Sequence, residues 1–245
     1  MSDIVEGRNA VLEALRGGRP LRRILLAQGV KPNPVLDEIE RTARTSGVAL
    51  ERVPKQELDR RSERGSHQGV LALAEPFQYA SLDDVMRAGE GAEKALVIAL
   101  DHITDPGNLG AVARSAEVVG ALGVVVPKQR SAEVTSAAHK ASAGALSHLP
   151  LARVPNLVRA LEQLKEAGYW VAGASEKATT LAWDAPLEGR LVLVLGSEGT
   201  GLSRLVEESC DFLVALPVVG HVGSLNVAQA TTVLAYEWAR RTRAR

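Results

Sequence analysis

Two stretches near the carboxyl end decide the fold of this chain: LVLVLGSEGTGLS at residues 191–203 and FLVALPVVGHVGSLNVAQATTVLAYEW at residues 212–238. Each begins with an apolar run of strand length and continues into a turn rich in glycine and polar residues. Such runs are typical of parallel strands covered on both faces, and ligands of open α/β sheets bind beyond the carboxyl ends of these strands. Both turns are therefore candidate binding sites, although each alone also fits an ordinary strand-to-helix connection.

The second turn leads into a segment whose apolar residues recur at helical spacing, from Val227 to Trp238. Ser224 or Asn226 can cap this helix, because short polar side chains accept hydrogen bonds from the first free backbone amides. The sequence therefore predicts a closing helix over residues 226–240.

Composition limits the possible functions. The 245 residues carry no formal net charge and only 3% aromatic residues, which argues against coating nucleic acid by bulk charge or stacking bases on rows of rings. The single cysteine, Cys210, excludes a disulfide framework within the chain, and the histidines lack metal-ligand spacing. No apolar window is long enough to span a membrane, and the first residues do not resemble a secretory leader. We expect a soluble, cytoplasmic protein that binds no metal.

The length leaves room for two unequal domains. Pro76 marks the boundary, because proline disfavours a helix before it and residues 77–93 show little apolar periodicity. We predict a first domain at residues 1–76, a linker at 77–93 and a second domain at 94–245.

Both predicted domains have an α/β pattern. The first should contain helices at 4–16, 35–45 and 55–61 and strands at 23–27, 48–53 and 69–74, with Gly17 and Gly18 ending the first helix. The second should alternate strands at 95–100, 122–126, 169–174 and 191–195 with helices at 109–119, 135–143 and 156–167. Alternation of this kind predicts a mainly parallel sheet.

Basic residues of the first domain are candidate RNA contacts. They form two clusters, Arg22 with Arg23, and Arg60 and Arg61 with Arg64. The loop that follows adds His67 and Gln68 as hydrogen-bonding groups for a phosphate or a base edge. Short basic runs are more often solvated surfaces, and a loop histidine often bonds only within its loop, so both readings stay open.

The loop at residues 101–110, DHITDPGNLG, is more polar than a simple connection needs. Asn108 can cap the helix that follows, and Arg114 lies about one and a half turns further along it. A guanidinium fork at this rim suits phosphate, although the spacing also fits an ordinary surface arginine. The dinucleotide fingerprint and the P-loop lysine are both absent, which disfavours a conventional nucleotide site.

Three ordered motifs resemble those of the SpoU-type RNA ribose 2′-O-methyltransferases. They are Asn108-x5-Arg114, LGSEGTG at 195–201, and Leu216-Pro217 with SLNV at 224–227. The resemblance covers roughly residues 95–240. In addition, IVEGRNAV at 4–11, which contains Arg8, and HQGV at 67–70 resemble the RNA-binding domain of members that modify a guanosine of large-subunit ribosomal RNA.

The resemblance implies a SPOUT-type α/β fold with a mainly parallel sheet and a carboxyl-terminal trefoil knot, preceded by a small α/β RNA-binding domain. It also implies a homodimer with Arg114 near the subunit boundary. S-adenosylmethionine would be held by backbone groups of the two glycine-rich turns, where small residues permit close approach. The cofactor-binding residues implied are Leu195, Gly196, Leu216, Pro217, Leu225 and Asn226.

The same resemblance assigns catalytic roles. Methyl transfer to a ribose hydroxyl needs oxygen, methyl and sulfur in line and a route for the hydroxyl proton. Arg114 would take the proton together with an RNA phosphate, and the groups that position ribose and arginine would be Asn108, Glu198, Ser224 and Asn226. A guanidinium has a pKa above about 12, which opposes a literal base role for Arg114.

Two alternatives stay open. One is a non-catalytic RNA-binding or ribosome-assembly protein that keeps the fold, although the joint presence of Asn108, Arg114, Glu198 and Asn226 argues against it. The other is a tRNA guanosine ribose methyltransferase, since some family members modify tRNA. The leading domain of about 76 residues favours ribosomal RNA by analogy.

Overall fold

A computed structural model describes residues 3–16, 19–63, 65–221 and 223–243 and contains two β-sheets. The first sheet has the strand order β1-β4-β2-β3 and is mixed, because only β2 and β3 run parallel. Its elements are β1 (Asp3–Glu6), α1 (Arg8–Arg16), β2 (Leu21–Ala27), α2 (Pro34–Thr45), β3 (Ala49–Val53), α3 (Lys55–Arg61) and β4 (Val70–Ala74). The predicted α/β pattern of this part is confirmed.

The beginning of the chain differs from the prediction of one helix over residues 4–16. Asp3–Glu6 form a strand that pairs antiparallel with β4, and the helix starts only at Arg8. Gly7 separates the two elements with φ +93°, a conformation open to glycine. Apolar side chains at Ile4 and Val5 fit either element, so pairing with β4 decided the outcome. The predicted end of α1 at Gly17 and Gly18 lies outside the described residues.

The second sheet has the order β10-β8-β9-β5-β6-β7, and every pair of neighbours is parallel. Its strands are β5 (Ala95–Leu100), β6 (Gly123–Pro127), β7 (Leu151–Val154), β8 (Trp170–Ala174), β9 (Arg190–Leu195) and β10 (Phe212–Val214). The helices among them are α4 (Leu82–Ala88), α5 (Pro106–Val119), α6 (Ser136–Ser142), α7 (Leu157–Glu166), α8 (Arg204–Glu208) and α9 (Val227–Arg243). The predicted parallel sheet is confirmed. The four-residue strand β7 and the short helices α4 and α8 had no counterpart in the prediction.

Helices cover both faces of this sheet, which explains the continuous apolar runs. In β5, Leu96, Ile98 and Leu100 face the core beneath α5, α6 and α9, whereas Val97 and Ala99 face the core beneath α4, α7 and α8. All five are fully buried, and each large side chain contributes roughly 1.5–3 kcal/mol. A strand covered on both faces positions its carboxyl end rigidly.

Residues 77–93, predicted to be a linker, pack against the second sheet. Val85 of α4 is fully buried there, and the Ala80 amide donates to the Leu151 carbonyl at 3.0 Å. Arg190 donates to the carbonyl oxygens of Gly89 and Ala92 at 2.6 and 2.9 Å. A second domain prepared without the first would therefore need residues 77–93 for its packing. The trefoil knot stays a prediction.

Candidate functional site

The candidate site lies where three loops meet at the carboxyl ends of the second sheet. β5 and β9 are adjacent and in register, with Leu100 opposite Leu195, so the loops that follow them start at the same level. The turn after β10 completes the group and leads into α9. The two glycine-rich turns of the sequence are thus neighbours of the polar loop at 101–105.

Asp101, the first residue after β5, ties these loops together. Its amide donates to the Leu195 carbonyl at 2.8 Å, and its buried carboxylate accepts from the Ser203 amide at 2.6 Å. Its other oxygen lies 2.5 Å from Nδ1 of His102, which has φ +59°. A non-glycine residue in this conformation often marks a functional site. Sequence reasoning missed Asp101, although an aspartate directly after an apolar strand was the available signal.

We expect Asp101→Ala to lower the free energy of unfolding by about 1–3 kcal/mol, because the partly buried Ser203 amide loses its acceptor. Asp101→Asn should lose less, since the amide oxygen can still accept from Ser203. Urea denaturation measures both variants. Asp184→Ala is the matched control, because Asp184 is exposed and its carboxylate makes no hydrogen bond or ion pair with the described residues. An Ala variant as stable as this control would contradict the role of Asp101.

The turn after β9 closes on itself. The amides of Ser197 and Gly201 donate to each other's carbonyl oxygens at 3.1 and 2.9 Å, and the Ser197 hydroxyl lies 2.6 Å from that of Thr200. A Cβ atom added at Gly196 would lie 2.1–2.4 Å from backbone atoms of Gly201 and Leu202. Only glycine fits at 196, and the closed turn presents Glu198 outward.

Glu198 is the centre of a hydrogen-bond network that joins all three loops. Its Oε1 accepts from Asn108 Nδ2 at 3.1 Å, from Asn226 Nδ2 at 2.5 Å and from the Val227 amide at 3.4 Å. Asn226 Nδ2 also lies 2.9 Å from Oδ1 of Asn108. Three predicted site residues, separated by 90 and 118 positions in the chain, are therefore in direct contact.

The helix caps explain why these side chains are available. Asp105, and not Asn108 as predicted, caps α5 by accepting from the Asn108 amide at 2.7 Å. The Asn108 side chain is thereby free to reach Glu198. Asn226 caps α9 as predicted, because its Oδ1 accepts from the Ala228 amide at 2.9 Å. The Glu198 carboxylate at the start of α9 also suits the positive end of the helix dipole.

Arg114 lies apart from this network. It is exposed on α5 and makes no hydrogen bond or ion pair with any residue that the structure describes. Six positions separate it from Asn108, so the two side chains leave the helix in different directions. Val118, one turn further along, is 57% exposed beside the 52% exposed Tyr236 of α9. Arg114 thus shares a face of α5 with an apolar surface and leaves its fork of donors free.

The turn after β10 has the properties of a binding surface. In residues 216–221 and 223–225, no backbone amide or carbonyl makes a hydrogen bond with another residue that the structure describes. Val219 is 98% exposed and Leu225 46% exposed, whereas Leu216 packs against the core. Free donors and acceptors beside apolar side chains fit an adenosine, which presents a polar base edge and an apolar ring face.

The other predicted cofactor and catalytic residues are placed as follows. The Leu195 carbonyl is engaged by Asp101, and Pro217 and Ser224 are exposed. The Ser224 hydroxyl makes no hydrogen bond with the described residues, so the structure does not bring it into the Glu198 network. Among the residues that the structure describes, no group of three or more His, Cys, Asp or Glu side chains could hold a metal ion.

The predicted RNA-binding residues divide into two groups. Most of the arginines are paired with carboxylates, namely Arg22 with Glu75, Arg23 with Glu51, and both Arg60 and Arg61 with Glu57. Arg64 lies outside the described residues. Arg8, His67 and Gln68 instead converge on one cavity, although His67 is only 4% exposed. The arginine clusters therefore have fewer free hydrogen-bond donors for RNA than their charge in the sequence suggests.

No helix among the described residues is both long and apolar enough to cross a membrane.

Two family patterns match the chain. The SpoU rRNA Methylase family matches residues 95–236. A pattern described as RNA 2′-O ribose methyltransferase substrate binding matches residues 4–80. The second match covers the first sheet, and the first covers the parallel sheet together with the Asn108, Glu198 and Asn226 network.

Individual proteins align over nearly the whole chain. YacO of Bacillus subtilis (strain 168), assigned by its name to the TrmH family of tRNA/rRNA methyltransferases, is 42% identical over 236 residues, covering 96% of this chain and 94% of YacO. The SpoU methyltransferase AviRb from Streptomyces viridochromogenes has a TM-score of 0.82 at 26% identity, covering 99% of this chain and 90% of AviRb. Its complex with AdoMet has a TM-score of 0.78 at 28% identity, covering 97% and 89%. An AdoMet-bound rRNA methyltransferase from Sinorhizobium meliloti has a TM-score of 0.78 at 25% identity, covering 98% and 87%.

Proposed function

Because the chain belongs to the SpoU rRNA methylase family, we propose that it methylates the ribose 2′-hydroxyl of a guanosine in large-subunit ribosomal RNA. The family and its AdoMet-bound members make the chain an RNA methyltransferase that uses S-adenosylmethionine. The observation that carries the proposal is the network of Asn108, Glu198 and Asn226, which joins the three loops at the carboxyl ends of the sheet. A non-catalytic protein of this fold would not need these three side chains in contact.

The two turns would hold the cofactor. The described residues of the turn after β10 have backbone donors and acceptors without a partner among the described residues, and the closed turn that begins at Gly196 lies beside them. Val219 and Leu225 can cover the apolar faces of the ligand. When bound, S-adenosylmethionine supplies a methyl group on a positively charged sulfur.

The Glu198 network would orient the ribose. Because its Oε1 accepts three N–H groups, the carboxylate holds the turn after β9 against the starts of α5 and α9. Fixed loops lower the barrier of an in-line displacement by keeping the reacting atoms aligned. Arg114 would hold an RNA phosphate beside the ribose with its planar fork, and an oxygen of that phosphate would accept the hydroxyl proton.

Arg114 would act in the site of a second copy of the chain. It makes no contact with the Glu198 network of its own chain, and it shares a helix face with exposed apolar residues of α5 and α9. Val118, Val119, Tyr236 and Ala239 line a shallow cavity on that face. We infer a homodimer whose interface includes α9.

Tyr236→Glu should convert the dimer into a monomer, because a carboxylate would replace an aromatic ring in the interface. Arg240 also lines this cavity, but Glu237 already engages its guanidinium. Trp170→Glu is the matched control, since Trp170 is an exposed aromatic residue on β8, away from α5 and α9. Light scattering at micromolar concentration measures both masses. A Tyr236→Glu variant that stays dimeric, or a wild type that is monomeric and fully active, would contradict the inference.

The choice of ribosomal RNA rests on the leading domain. Residues 4–80 match a substrate-binding family, and the protein from Sinorhizobium meliloti, named as an rRNA methyltransferase, aligns with 98% of this chain. A guanosine of tRNA is the second candidate, because the name of YacO covers both tRNA and rRNA. A cytoplasmic location, where ribosomal RNA is modified, belongs to the same proposal, as does the knotted chain path.

Transfer of tritiated methyl groups from S-adenosylmethionine tests the proposal. Purified protein is incubated with large-subunit RNA transcripts or with tRNA transcripts, and nuclease digestion identifies the labelled nucleoside. We expect 2′-O-methylguanosine from the ribosomal transcript alone. Label in tRNA would identify tRNA, the second candidate, as the substrate. Label on a base would contradict ribose methylation.

A further inference from the structure

A cavity lies in the first domain, far from the Glu198 network in sequence. It has a volume of about 710 Å³ and opens at the carboxyl end of β2. Its walls are Arg8 at the start of α1, residues 27–30 after β2, Lys55 and Asp59 of α3, and the loop 65–69. This volume falls within the range of roughly 300–1,000 Å³ that is typical of ligand sites.

Hydrogen bonds hold the wall of the cavity in place. Nδ1 of the buried His67 accepts from the Gly69 amide at 3.0 Å, so Nε2 carries the proton and donates to Asp59 at 2.9 Å. Gly69 has φ +83°, and a Cβ atom there would lie 2.6 Å from Cγ2 of Val30. His67 therefore supports the loop and engages Asp59, and the cavity is preformed.

Two cations at this cavity keep free donors. Arg8 uses its amide and its Nε to bond the side chain and the carbonyl of Gln68, at 3.3 and 3.0 Å. Its two terminal nitrogens and the Lys55 ammonium make no hydrogen bond or ion pair with the described residues. By contrast, many arginines of this domain are neutralised by a carboxylate, namely Arg16, Arg22, Arg23, Arg52, Arg60 and Arg61.

We propose that this cavity binds the phosphodiester backbone of the RNA substrate at a nucleotide other than the methylated one. The terminal nitrogens of Arg8 form a fork that matches a phosphate, and Lys55 supplies a second charge. Among the described residues of the wall, His67 carries the only ring and is buried, so these residues offer no surface on which a base could stack. The two free cations therefore favour the backbone of the RNA over its bases. The inference rests on the proposed function, because it takes RNA as the substrate, and it assigns Lys55 a role in binding it.

The test measures association of the full-length protein with a large-subunit RNA transcript over a range of salt concentrations. Lys55→Gln should weaken binding about tenfold and reduce the slope of log affinity against log salt by about one, as expected for one lost phosphate contact. Arg8→Gln should do the same, whereas Arg8→Lys should keep the slope because the charge remains. Affinity for S-adenosylmethionine should not change, because the cavity lies in the first domain and the turns proposed to hold the cofactor lie in the second.

Arg44→Gln is the matched control. Arg44 is an exposed cation of the same domain without an ion pair among the described residues, and it lies in the last turn of α2, away from the cavity. Binding and slope of Lys55→Gln equal to those of Arg44→Gln would overturn the proposal. Competition by millimolar guanosine monophosphate as strong as that by RNA would also overturn it, since the site would then take a free nucleotide. A wild-type protein that methylates no RNA would refute the proposed function. If the variants still differed from it in RNA binding as expected, the assignment of the cavity would stand.

Discussion

Arg114→Ala is expected to lower methyl transfer by a factor on the order of a thousand, as in other sites that lose a preorganised donor to a developing charge. Affinity for S-adenosylmethionine should stay unchanged, because Arg114 makes no contact with the turns proposed to hold the cofactor. Stability should stay as well, since the side chain is exposed on α5 and has no bond among the described residues to lose. Arg114→Lys should also fail, because an ammonium cannot reproduce the planar fork.

Single-turnover methyl transfer and calorimetric titration measure the two quantities. Arg159→Ala serves as the control, since Arg159 is an exposed arginine of α7 whose side chain has no partner among the described residues. Near-normal turnover by the lysine variant would mean that Arg114 supplies charge alone. Near-normal turnover by the alanine variant would remove Arg114 from the mechanism.

Gly196→Val is expected to abolish binding of S-adenosylmethionine. The first atom of any side chain at 196 would lie 2.1 Å from the carbonyl carbon of Gly201, so the turn must open and lose its Ser197–Gly201 hydrogen bonds. The glycine is thus required by the approach of the protein's own backbone, in addition to the close approach of a cofactor inferred from the sequence.

Gly196→Ala separates these two causes. Because Cβ alone meets the Gly201 backbone, the alanine variant should lose nearly as much affinity as the valine variant. A mild loss with alanine and a complete loss with valine would assign the effect to contact with the cofactor. Calorimetric titration gives both affinities, and wild-type affinity in Gly196→Val would contradict a cofactor site at this turn.

The parallel sheet could be predicted because burial on both faces leaves a strong signal. At residues 191–195 of β9, as in β5, successive residues face the cores on opposite sides of the sheet. All of them are therefore apolar, and the sequence shows one continuous apolar run. The first strand left no such signal. Asp3–Glu6 is short, its pairing partner β4 lies more than 60 residues away, and Ile4 and Val5 fit a helix equally well.

The site could be predicted only in part. Asn108, Glu198 and Asn226 were identified by motif resemblance, whereas their mutual contacts depend on how the sheet brings three distant loops together. Asp101 and Lys55 belong to no recognised motif, and each gains a role only from neighbours distant in the chain. The arginine clusters stay a prediction as RNA contacts, and the sequence did not reveal the carboxylates that pair with them.

Mapping of ribose methylation in total cellular RNA tests the central claim most directly. RNA is compared from cells with the gene, cells without it, and cells without it that carry either the wild-type gene or Arg114→Ala. We predict that one guanosine of large-subunit ribosomal RNA loses its 2′-O-methyl group without the gene, regains it with the wild type and stays unmethylated with Arg114→Ala. A methyl group lost from tRNA instead would contradict the substrate, and identical maps in all four strains would contradict the proposed function.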